Sequence, residues 1–275
     1  MTTKNVYRYV FIALATGLLT AGLGACSGKK GKKAATPVPE ETIRKEVQEY
    51  IYPLPSAFEV TNMLNEIEAS YIVGISNDPE KAETYFSEKD KAFNLGIYAA
   101  DLAYATTYNQ KTEVNTYFSA CEKLARELDI TSAFNQDLPD QIEANLDNKG
   151  KMVELVTGMF DNAYAYLNKR GRTELSYLVL SGTVVEGLYL TTHISGNTFQ
   201  NPKLIGAILF QKKPLQDLEK MMETYKETEL LKQAYLDIQA INAIYALEEG
   251  TTSMTLEQVT KLTEAVNVIR DGKVK

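Results

Sequence analysis

The chain has no tryptophan, one histidine and two cysteines in 275 residues. A lone histidine excludes a zinc site built on several histidines. It also excludes the paired Glu-x-x-His motifs of di-iron helical bundles. A Ser–His–acid triad would have to use His193, and no G-x-S-x-G nucleophile turn occurs. Without tryptophan, a glycosidase built on a carboxylate pair would have to stack its sugar on tyrosine. No run alternates with period two between hairpin signals, which argues against a sheet. Basic residues are scarce where nucleic acid would need them. Residues 40–275 hold 23 Lys and Arg against 36 Asp and Glu, a net charge of −13. That balance opposes binding to phosphate, which needs clustered cations.

What is present begins with a leader. Lys4 and Arg8 form a short basic region, residues 10–23 are apolar, and Gly24 and Ala25 stand before Cys26. Charge, short apolar core and small residues at a cleavage point are the parts of a secretory signal. The apolar run is shorter than the ~20 residues a membrane-spanning helix needs. The tetrapeptide LGAC at 23–26 resembles the lipobox of bacterial lipoproteins. That resemblance implies cleavage after residue 25, acylation of Cys26 and anchoring by two or more chains, since one chain binds membranes only marginally. An ordinary cleaved leader with Cys26 incidental is the competing reading. Ser27 after the cysteine resembles the outer-membrane sorting class. The stretch SGKKGKK departs from the acidic surface-export pattern and implies the periplasmic face. Residues 26–39 carry Lys29, Lys30, Lys32 and Lys33 and read as a basic tether. GLGACSG looks like a phosphate loop but falls in the leader and tether. With Cys26 lipidated, Cys121 has no intrachain partner and reads as a small core hydrophobe.

Residues 40–275 read as a single all-α domain, a multi-helix bundle. A short first helix ends near Tyr52. A capping box, Ser56 with Glu59, opens a helix with the stripe Val60, Met63, Leu64, Ile67 and Tyr71. Asp78 and Pro79 start a short helix. Further helices are predicted over 88–108, 111–129, 138–148, 151–170, 173–194, 202–211, 214–227, 229–248 and 255–270. Gly150, Gly171, Gly196, Gly250 and Gly272 mark C-terminal ends; Pro139, Pro202 and Pro214 mark starts. Three segments recur in order: VTNMLN with VTGMFD, DLAYATTY with EGLYLTTH, and CEKL with LEKM. They suggest two related units, 56–149 and 150–249, packed about a pseudo-twofold axis. The period does not match a tetratricopeptide solenoid.

Two apolar helices each contain one acid. Asp101 shares a helix face with Tyr104 and Tyr108; Glu186 shares one with Tyr189 and His193. Unpaired, either acid would be costly to bury. Gly96, Ala99, Ala100, Gly182 and Gly187 let another helix or a ligand come close. Three roles are open. The acids accept hydrogen bonds from tyrosines or a helix end and fix how the helices dock; or the two stripes line a polar cavity for a small ligand or cation; or they form a groove for a partner's helix. No motif calls for a cofactor or metal, and the pattern points away from an enzyme. The whole chain resembles helical Gram-negative lipoproteins of unassigned function. That resemblance implies an outer-membrane anchor, a periplasm-facing body, an unknown protein partner and an interaction or assembly role.

Overall fold

A computed structural model describes residues 71–194, 201–246, 251 and 253–275, all within one compact unit spanning 37–275. The leader, Cys26, the tether, the 56–59 capping box and the stripe from Val60 to Ile67 lie outside the described residues, as do Gly196 and Gly250. Nine α-helices occur among the described residues, and no strand. They are α1 (Glu88–Thr107), α2 (Lys111–Glu127), α3 (Leu138–Asn145), α4 (Lys149–Lys169), α5 (Thr173–His193), α6 (Pro202–Phe210), α7 (Lys212–Met222), α8 (Lys232–Ile244) and α9 (Leu256–Asp271). The multi-helix bundle expected from the sequence is the observed fold. No described helix is long and apolar enough to cross a membrane.

Local chemistry sets the helix ends. Asp78 accepts from the Glu80 amide and Pro79 opens the following turn, which is a 3-10 turn, Pro79–Glu83. Ser87 caps α1 and Thr255 with Gln258 closes a capping box on α9. Asn109 and Asp129 end α1 and α2 in the left-handed region, at φ 55° and 57°, and Gly171 ends α4 at 71°. Asparagine and aspartate are the non-glycine residues that tolerate this conformation best. Gly150 differs from expectation. It sits in the first turn of α4, because the Asn148 side chain accepts from the Lys151 amide and starts the helix before the glycine.

At the centre, α1 packs on α5, and both are buried on nearly every face. Around this pair, α1 also meets α2 and α4, while α5 meets α4, α6, α7, α8 and α9. The crossing is made of two glycines. A Cβ on Gly96 would lie 1.9 Å from the Val179 carbonyl oxygen, and one on Gly182 would lie 1.9 Å from that of Phe93. Each glycine thus meets the carbonyl three residues before the other glycine, so the crossing is locally two-fold. The Thr183 hydroxyl donates across it to the Gly96 carbonyl at 3.2 Å. This contact alone does not establish a duplication of whole units.

Candidate functional site

The close crossing decides where the acids go. Asp101 lies five residues beyond Gly96 and Glu186 four beyond Gly182, so both stand little more than one helical turn past the contact point. Both are fully buried, at 0% exposure. Each carboxyl acts on the other electrostatically. Two ionised carboxylates offer only acceptors, so a direct bond between them needs a proton on one of the pair.

The partners differ on the two sides. Arg270, from the last turn of α9, grips Glu186 with Nε to Oε2 at 2.5 Å and Nη2 to Oε1 at 2.8 Å. This fork geometry gives the strongest of the charge-assisted pairs. The guanidinium also lies over the Tyr189 ring, 3.9 Å from its centroid. Asp101 has less support. Its Oδ2 accepts from the Asn77 backbone amide at 3.1 Å, while no donor reaches Oδ1. The Ser76 hydroxyl approaches without closing a standard hydrogen bond.

These contacts order the electrostatics. Burial, and then the charge of Glu186, push the Asp101 carboxyl well above its ordinary range, with Ser76, Arg270 and the Asn77 amide only partly opposing. Burial raises Glu186 as well, but Arg270 and the hydrogen bond from Asp101 pull it back. Burial acts to lower Arg270, and Glu186 with Asp101 outweigh it, holding the guanidinium cationic. Asp101, pushed up by burial and bonded to no cation, is the acid that holds a proton more readily; with it protonated, a cluster of Asp-COOH, Glu carboxylate and Arg cation is neutral as a whole. That composition explains how three ionisable groups share a dry core.

The tyrosines serve elsewhere than expected. None donates to the acids; instead they hold residues 72–78 against the bundle. Tyr104 Oη accepts from the Ile72 amide at 3.1 Å, Tyr85 Oη accepts from the Asn77 side chain at 3.0 Å, and Tyr98 Oη donates to the Asp78 carbonyl at 2.7 Å. Tyr71, Tyr104 and Tyr108 form a three-ring cluster with centroids 4.9–5.4 Å apart, and Tyr71 donates to Glu113. The Tyr108 hydroxyl is buried without a partner. His193 stacks on Tyr189 at 4.2 Å, and its Nδ1 lies 2.8 Å from the Tyr189 carbonyl. A carbonyl only accepts, so Nδ1 carries the hydrogen.

Asp101 and Glu186 thus share the buried centre, while the rest of each stripe has other partners: Tyr104 and Tyr108 pack with Tyr71, Tyr189 lies under Arg270, and His193 stacks on Tyr189. The acids meet as the cavity reading required, but in a sealed contact. Arg270 was not anticipated, yet its sequence held a signal. Val259, Leu262, Val266 and Arg270 form the buried face of α9, so an arginine occupies a core position of the stripe. Asn77 and Ser76 carry no such signal, because their loop has no periodicity. Among the described residues no group of three His, Cys, Asp or Glu side chains is placed to hold a metal ion. Comparison with family models, with curated proteins and with solved structures finds no match for the chain.

Proposed function

We propose that the protein is a lipoprotein anchored through Cys26 in the outer membrane, facing the periplasm, and that its helical body is an interaction or assembly module. The leader, lipobox and Ser27 support the anchor. One observation supports a surface role over a buried site: the two acids best suited to chemistry have no solvent access and are consumed in fixing α1, α5 and α9. Apolar side chains meanwhile stand in solvent, with Phe86 86% exposed, Val73 80% and Val268 74%. Single exposed hydrophobes are ordinary, so they are places to probe rather than an interface in themselves.

A second reading, a small-ligand or cation site between the central helices, draws on other atoms. Both amide atoms of the buried Gln211 side chain and the Tyr108 hydroxyl lack partners, and the Gln211 oxygen faces Gly187. Buried polar atoms without partners are uncommon and call for water or a ligand.

Photo-crosslinkers placed at Phe86, Val73 and Val268 in cells separate the two readings. The module reading expects discrete adducts of one mass that disappear in Cys26→Ser. Absence of adducts, together with a melting temperature raised by a small solute and not in Gln211→Leu, would favour the ligand reading.

A further inference from the structure

Residues 72–78 form a strap tied down by four hydrogen bonds. Three of them join neutral groups, through Tyr104, Tyr85 and Tyr98. The fourth, from the Asn77 amide, ends on Asp101. Asp101 and Glu186, both fully buried, act on each other electrostatically, and Glu186 takes two donors from Arg270 of α9. A continuous chain of contacts therefore runs from the strap through α1 and α5 to the last helix.

One guanidinium faces two carboxyl groups, and both of its bonds go to Glu186. The other groups around Asp101 are the Ser76 hydroxyl from the strap, Tyr85 before α1, Tyr98 and Tyr104 from α1, Tyr117 and Cys121 from α2, and Tyr189 from α5. None of these is a cation. We propose that a single proton held between Asp101 and Glu186 is the bolt of a latch joining the strap to α9, and that its loss as pH rises frees the strap.

With the proton in place, Asp101 donates to Glu186 and accepts from Asn77. Without it, two carboxylates face each other where no solvent reaches, a contact that like-charge repulsion and desolvation both oppose. Relief requires water or a cation at Asp101. The non-helical cover over Asp101 is the strap, which seats Ile75 against Tyr104, Leu190, Ile194 and Leu204 and whose tip, Val73 and Gly74, is exposed. Gly74 has φ +79° and nothing within 4 Å of its Cβ position among the described residues. Burial and the neighbouring charge push the Asp101 proton affinity upward, the direction that favours the closed bolt. The sign is that of a raised acid: the latch is fully stable below the ordinary carboxylate range and loosens as pH rises through the folded-state pKa.

The test combines infrared spectroscopy and amide exchange on the purified full-length chain. At pH 7 a protonated, buried carboxyl stretch is expected, absent in Asp101→Asn and lost from the wild type as pH is raised. Above that midpoint, protection of the Asn77 and Ile72 amides, corrected for intrinsic exchange, should fall about tenfold per pH unit. In Asp101→Asn, which keeps an acceptor for Asn77 and offers a donor to Glu186, protection should not change with pH. The proposal is overturned if no carboxyl band is present at pH 7, or if protection falls alike in both proteins. Should Asp101→Asn not fold, the wild type alone decides: band and protection must share one midpoint, and separate midpoints overturn the latch.

Discussion

Replacing Arg270 with methionine isolates the ion pair, because the new side chain is of similar length and keeps contact with the Tyr189 ring. The fork on Glu186, at 2.5 and 2.8 Å, is then gone and the carboxylate stays at 0% exposure. Breaking a buried pair from one side costs about 3–5 kcal/mol when the remaining charge persists. Glu186 has an escape, which is to take up a proton. That costs about 1.36 kcal/mol for each pH unit above an ordinary glutamate pKa of ~4.3, a ceiling of about 3.7 kcal/mol at pH 7 and about 1 kcal/mol at pH 5. The lost cation–ring contact, about 0.5–2 kcal/mol, is offset in part by a sulfur–ring contact of about 0.3–1.5 kcal/mol. Urea unfolding of wild type and Arg270→Met should therefore differ by about 3–4 kcal/mol at pH 7 and by well under half of that at pH 5. A loss below about 1 kcal/mol at pH 7, or one equal at both pH values, would refute the claim that Glu186 is an ionised partner of Arg270.

Other outcomes follow from the packing. Gly182→Ala places its methyl 1.9 Å from the Phe93 carbonyl oxygen, so the central helices must part; a loss of about 1–3 kcal/mol or more is expected in denaturant melts. Gly158→Ala, inside α4 with nothing within 4 Å of the new carbon, should instead stabilise by about 0.5–1 kcal/mol. Equal effects at the two glycines would contradict the crossing geometry. Cys121 is fully buried and burial raises its thiol pKa, so it should resist alkylation until the protein unfolds; rapid labelling of the native protein would show that α2 does not pack as described.

Much of this arrangement was legible in the sequence. Helical periodicity with Pro and Gly punctuation placed α1, α2, α5, α6 and α9 within a few residues of their observed limits. The small residues Gly96 and Gly182 pointed to a close approach, and one of the three roles open for the two carboxylates set them facing each other. What escaped was tertiary. Gly150 read as a stop because a glycine between two apolar stretches breaks a pattern, while the Asn148 cap that overrides it acts one turn away. Tyr104 and Tyr189 stood at hydrogen-bonding distance in sequence, but the Tyr104 hydroxyl takes the Ile72 amide of the strap and the Tyr189 ring lies under the Arg270 guanidinium. Arg270 was visible as a charge on an apolar stripe, and its partner, 84 residues earlier on another helix, was not.

The anchored-module account rests most directly on Cys26. Cells fed a clickable fatty acid should yield protein labelled at that residue, recovered in the outer-membrane fraction and protected from protease added outside the cell. Cys26→Ser should carry no label and leave the membrane at high salt, since the tether's lysines alone bind weakly and are screened. Unlabelled wild-type protein, or a Cys26→Ser variant that stays acylated and membrane-bound at high salt, would contradict the account.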